Sequence, residues 1–144
     1  MSKKQPSINW LYVLFGAVGL GLVYIFQDEL FYQPPFTDPY SRLYDIEAMD
    51  KGRFVMSKLV RYFLNDSFAL FIIVGLFRRR KYIRFAMLVF LFGFVVLVPI
   101  YLILTIYFYG PFASYLNHIH RLVMNPVLMM LLIPAFYYQR SVGK

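Results

Sequence analysis

Four apolar runs alternate with polar or basic interruptions along the chain, at 8–26, 57–77, 85–109 and 114–138. At about 1.5 Å per residue each is long enough, as a helix, to cross a hydrocarbon core of roughly 30 Å. Runs two and three are separated by the short turn 78–84, so they form an antiparallel helical hairpin. Pro99 removes a helix hydrogen bond and should kink the third run near its middle. A helix beginning at Pro126 would be too short to cross alone. The fourth run is therefore expected to start near Ser114, bend around Pro126 and meet a second distortion at Pro134. Residues 27–53 are the one long polar stretch, a loop with a short helix expected over 40–49.

Composition strengthens this picture. With 60% apolar and 21% aromatic residues and 15% charged ones, 144 residues cannot build the mixed surface of a soluble domain. The formal charge of +8 could suggest nucleic acid, but the basic residues sit at the ends of apolar runs, where they face lipid headgroups. Nucleic acid is not expected as a partner; membrane lipids are. The chain has no cysteine, which excludes disulfides, thiolate metal sites and a cysteine nucleophile. The first run ends in "FQDELFYQPP" rather than a small-residue cleavage site, so it is expected to be retained as an anchor.

Charge also orients the chain. Placing both termini and the 78–84 turn in the cytoplasm puts nine basic residues inside: Lys3, Lys4, Arg78, Arg79, Arg80, Lys81, Arg84, Arg140 and Lys144. Six remain outside, and five of the nine fall within one seven-residue turn. The expectation is an all-α integral membrane protein, one domain over 1–144, with four transmembrane helices, cytoplasmic N and C termini, antiparallel hairpins and proline kinks.

Candidate chemistry lies where polar side chains interrupt the apolar runs. Asp66 most needs a reason, because a carboxylate in a lipid-embedded helix costs several kcal/mol without a partner or water. Arg61, Asn65 and Asp66 on the second run match Arg121 and Asn125 on the fourth in depth. On helical spacing His118, Arg121 and Asn125 share a face, as do Arg61 and Asn65, while Asp66 lies nearer Tyr62. If these helices pack together, Asp66 can pair with Arg121 or hydrogen-bond Asn125. Such a patch most often serves as packing glue. His118 and His120 fall on different faces and make a poor metal pair. The run "DIEAMDKG" lacks the register of a calcium loop. Neither a metal nor a cofactor is expected. Gly16, Gly19 and Gly21 smooth one flank of the first run for a neighbouring helix.

The four-run layout, "VRYFLND" entering the second run and "HRLVMNPVLMMLLIPAFYYQ" in the fourth resemble the exosortase F-associated membrane proteins, small bacterial inner-membrane proteins encoded beside an exosortase. The resemblance implies an accessory of a membrane transpeptidase system that processes sorted surface proteins, with an exosortase as partner. Exosortases resemble cysteine transpeptidases with Arg and His helpers. Without a cysteine, Arg121, His118 and His120 carry no active site over from them. Two function classes follow: a non-enzymatic partner protein, or a small membrane enzyme or carrier acting on a lipid-linked or peptide substrate at the outer face. In the second class Asp66 or His118 would act as base and Arg121 would hold an anionic group. The absence of a nucleophile constellation or a phosphate loop favours the first.

Overall fold

The computed structural model describes residues 7–38, 40 and 43–142; Lys3, Lys4 and Lys144, used above for orientation, lie outside them. It is all-helical, about 80% helix with no strands among the described residues. The helices are α1 (Trp10–Ile25), the single turn α2 (Gln27–Leu30), α3 (Lys51–Leu76), α4 (Arg80–Phe92), α5 (Val98–Tyr107), α6 (Tyr109–Met124) and α7 (Val127–Val142). A π turn, Gly93–Leu97, joins α4 to α5 as one rod, Arg80–Tyr107. By length and composition α3 and this rod can each cross a membrane. The pair α6 and α7, bent by 56° at Asn125 and Pro126, makes a third span if the two are one broken helix. The molecule is thus a helical protein with two to three helices long and apolar enough to span a bilayer. The remaining expected span, the first run, is α1, which is apolar but has 16 residues, about 24 Å.

Helix boundaries differ from the hydropathy pattern where charged residues are helical. The second run begins at Lys51 rather than 57, because the Asp50 carboxylate accepts from the Arg53 backbone N–H at 3.1 Å and caps the helix. At the basic turn only residues 77–79 leave the helix, so Lys81 and Arg84 belong to the first turns of α4. The 40–49 helix does not form. Phe36 and Tyr44 make an antiparallel bridge instead, with Asp45 N–H donating to the Pro35 carbonyl at 2.8 Å. The Asp45 carboxylate then accepts from the backbone N–H groups of Glu47 and Ala48. The acids that suggested a calcium loop therefore hold the loop's own turn and the start of α3.

Prolines act as their missing N–H dictates. Pro99 cannot donate to the carbonyl four residues back, and the chain answers one turn earlier with the π turn, where Val98 N–H donates to the Gly93 carbonyl. Thr105 Oγ donates to the Tyr101 carbonyl at 2.8 Å, which is not the carbonyl freed by Pro99. Pro126 produces the expected bend. Pro134 lies inside α7 without interrupting it.

Packing places α3 at the centre. Along its length it lies antiparallel to α1: the Asn9 N–H donates to the Gly75 carbonyl at 2.9 Å, and Gly16 and Gly19 seat against Phe68 and Ile72. Any Cβ at Gly16 or Gly19 would overlap those residues, whereas Gly21 faces open space. Only two of the three glycines are therefore packing glycines. On its other side α3 meets α4: Tyr62 reaches across Gly93, where a side chain would collide with the phenol, and its ring packs on Phe90 and Phe94. At the basic end a ring cluster of Phe77, Tyr82 and Phe136 ties α3, α4 and α7 together.

Candidate functional site

The polar side chains of the spans fall into two groups. The first surrounds the break in the α6–α7 pair. Helix α6 ends at Met124, and Pro126 offers no N–H to the carbonyls of its last turn. In a bilayer those carbonyls have no water to turn to. Asn65, 6% exposed, fills the need: its Nδ2 donates to the Met124 carbonyl at 2.8 Å. Asp66, 3% exposed, lies beside the hydroxyl of Tyr62, one turn back on α3. That hydroxyl donates to the Phe90 carbonyl at 3.2 Å. One phenolic proton cannot serve both acceptors fully. Phe90 O already accepts from the Gly93 N–H, so the carboxylate is the acceptor with the greater need.

Sequence reasoning therefore places Asp66 on the Tyr62 face correctly and its partner wrongly. Arg121 on α6 and Asn125 just past its end are exposed, and among the described residues Asp66 forms no ion pair with Arg121. Matched depth fixes the height of a side chain but not its rotation about the helix axis. Asn65, one residue away and 100° around, makes the cross-helix bond.

The second group gathers at the end of the bundle under the 27–53 loop. The Arg61 Nη2 donates to the Gln27 side-chain carbonyl at 2.8 Å, and its guanidinium lies 5.7 Å from the centre of the Phe31 ring. One turn back, Lys58 is 4% exposed, with its ammonium 5.2 Å from the Phe54 ring centre. His120 Nδ1 pairs with the Tyr101 hydroxyl at 2.7 Å, and Lys58, Arg61 and Arg121 all lie within Coulombic reach of its ring. Tyr44 of the loop stacks on Tyr109 of α6 at 5.3 Å, and its backbone N–H donates to the Tyr109 hydroxyl at 3.2 Å. Burial, and then Tyr109, hold the Tyr44 phenol above its ordinary pKa while Arg61 pulls it down.

His118 is exposed and bonds the Ser114 carbonyl of its own helix at 2.8 Å, on a different face from His120. Arg78, Arg79, Arg80, Lys81 and Arg84 are all exposed at the opposite end of the bundle. There Leu76, Phe77, Arg78, Arg79, Tyr82 and Arg140 line a shallow, open notch. The structure thus unites Asn65 with the end of α6, and Arg61 with α2 and the loop. It leaves His118, Arg121 and Asn125 on the outside. No family model, curated protein or solved structure matches the chain.

Lys58 and Tyr101 are the members of these groups that the sequence reading passes over. A signal for Lys58 exists: it precedes Arg61 by three residues and Asn65 by seven, on one helical face. With thirteen tyrosines in the sequence, nothing singles out Tyr101.

Proposed function

We propose that the protein is a non-enzymatic helical module that works docked on a larger membrane protein of the bacterial inner membrane, as an accessory of an exosortase-type sorting system. The observation that carries the non-enzymatic part is the Asn65 bond to the Met124 carbonyl: the most deeply placed amide of the bundle is committed to a helix end. A general acid or base needs a face open to substrate. Asn65, Asp66 and Thr105 are instead enclosed between helices and bonded to neighbouring groups. The link to an exosortase rests on the resemblance of "VRYFLND" and the 120–139 segment.

In this reading the chain crosses the membrane four times with both termini cytoplasmic. Supporting the fourth crossing, α1 packs beside α3 from Gly75 to Phe68, and Gln27 of α2 carries the chain on to the level of Arg61, about 21 Å along α3. The Arg78 to Arg84 cluster lies at the end that positive charge assigns to the cytoplasm.

Gentle extraction of the tagged full-length protein from its native membrane, with identification of what co-purifies, tests the proposal. A stoichiometric membrane partner, lost on disruption of the 27–53 loop without loss of the protein, is the expected result. A protein that comes out alone, and whose Asp66→Asn variant stays folded yet abolishes surface-protein processing, would overturn it.

A further inference from the structure

Lys58 and Arg61 stand out for what they lack. All seven aspartate and glutamate side chains are among the described residues, and none pairs with either cation within 4 Å. Lys58, only 4% exposed, makes no hydrogen bond among the described residues. Arg61 uses one nitrogen on Gln27, and its Nε is buried with no acceptor. Asp28, the acid within Coulombic reach of Arg61, is exposed and accepts from Gln33 at 3.0 Å. Two neighbouring cations, one buried and one half-buried, have no counter-charge among the described residues and repel each other, and the Arg61 Nε lacks an acceptor. An anion from outside the chain would satisfy both.

Depth identifies its chemistry. A hydrocarbon core of about 30 Å corresponds to about 20 residues of helix. Measured back from Leu76, it reaches the level of Ser57 and Lys58. The two cations therefore stand at the rim of the apolar core, where headgroup phosphates lie, under the lid formed by Gln27 and Phe31.

We propose that Lys58 and Arg61, with the Tyr101–His120 pair beside them, form a binding site for a phosphate group, supplied by a phospholipid headgroup at the loop-side face of the bundle. The lysine contributes a point charge and the arginine a directed N–H to the phosphate oxygens. This is independent of whether the protein serves a sorting system.

The test uses full-length protein in dodecyl maltoside, which carries no phosphate, titrated with dihexanoyl phosphatidylglycerol, with dihexanoylglycerol and with inorganic phosphate, and followed by the midpoint of thermal unfolding. Phosphatidylglycerol should raise the midpoint saturably and dihexanoylglycerol should not. Lys58→Met and Arg61→Met should weaken that binding at least tenfold; Lys58→Arg and the opposite-end variant Arg84→Gln should preserve it. Inorganic phosphate acting alone with equal affinity would support the site and make free phosphate its source. Wild-type affinity in folded Lys58→Met, or equal loss in Arg84→Gln, would overturn the proposal. Should the neutral variants not fold, photocrosslinking wild-type protein with headgroup-labelled phosphatidylglycerol decides: label on residues 27–31 and 58–61 supports the site, and label confined to 78–84 overturns it.

Discussion

Asn65 donates to the carbonyl of Met124 across 59 residues of chain, at 2.8 Å, one residue before the fourth apolar run breaks. This bond answers the need created by Pro126, since a helix end inside lipid must find donors from protein. Replacing Asn65 by Leu leaves that carbonyl unsatisfied and should cost about 1–2 kcal/mol. The penalty should shrink in a Pro126→Ala background, where the helix can continue and supply its own donors. Denaturant unfolding of the four proteins in mixed micelles measures both effects.

Gly16 and Gly21 give an internal comparison on one helix. Gly16→Leu must displace Phe68 or Ile72 and should destabilise the fold by about 1–3 kcal/mol, whereas Gly21→Leu, facing open space, should be near neutral. Equal effects on the unfolding midpoint would show that α1 does not pack on α3 through this face.

Tyr62 and Gly93 should be coupled. A Cβ at residue 93 overlaps the Tyr62 phenol, so Gly93→Ala is expected to be markedly destabilising alone and less so with Tyr62→Phe. A double-mutant cycle should return a coupling of about 1 kcal/mol. Additivity would remove the contact.

At the start of α3 a cap and an ion pair share one carboxylate. Asp50→Ala should cost about 1 kcal/mol through the lost cap. Arg53→Ala should cost less than about 0.5 kcal/mol, because both side chains of the 3.5 Å pair are largely exposed. The difference in thermal midpoint between the variants checks which interaction matters.

Much of the fold was legible because the bilayer imposes length and apolarity. The α3–α4 hairpin, the bend at Pro126 and the glycine contact of Gly16 and Gly19 follow from run length, missing donors and residue size. What stayed hidden depended on rotation and on interfacial helix. Asp66 was matched to Arg121 by height, yet the side chain points at Tyr62. Residues 51–53 read as the end of the polar loop, although Asp50 caps a helix there. Pro99 gave the position of an irregularity but not its form, since a π turn resolves the clash one turn upstream. Lys58 stood only among the six basic residues assigned to the outside, and its burial at 4% exposure shows only once the helices are packed.

The most direct measurement of the account exploits the absence of native cysteine. Single cysteines at Asn65, Asp66 and Tyr40 are introduced into the full-length protein and challenged, in intact membranes, with a small membrane-impermeant maleimide. Tyr40, 96% exposed on the loop, should label rapidly, and positions 65 and 66 should stay unlabelled until the protein is denatured. Labelling at 66 as fast as at 40, in a variant that retains its fold, would mean that the polar groups open to an aqueous path and would contradict a bundle whose polar side chains hold it together.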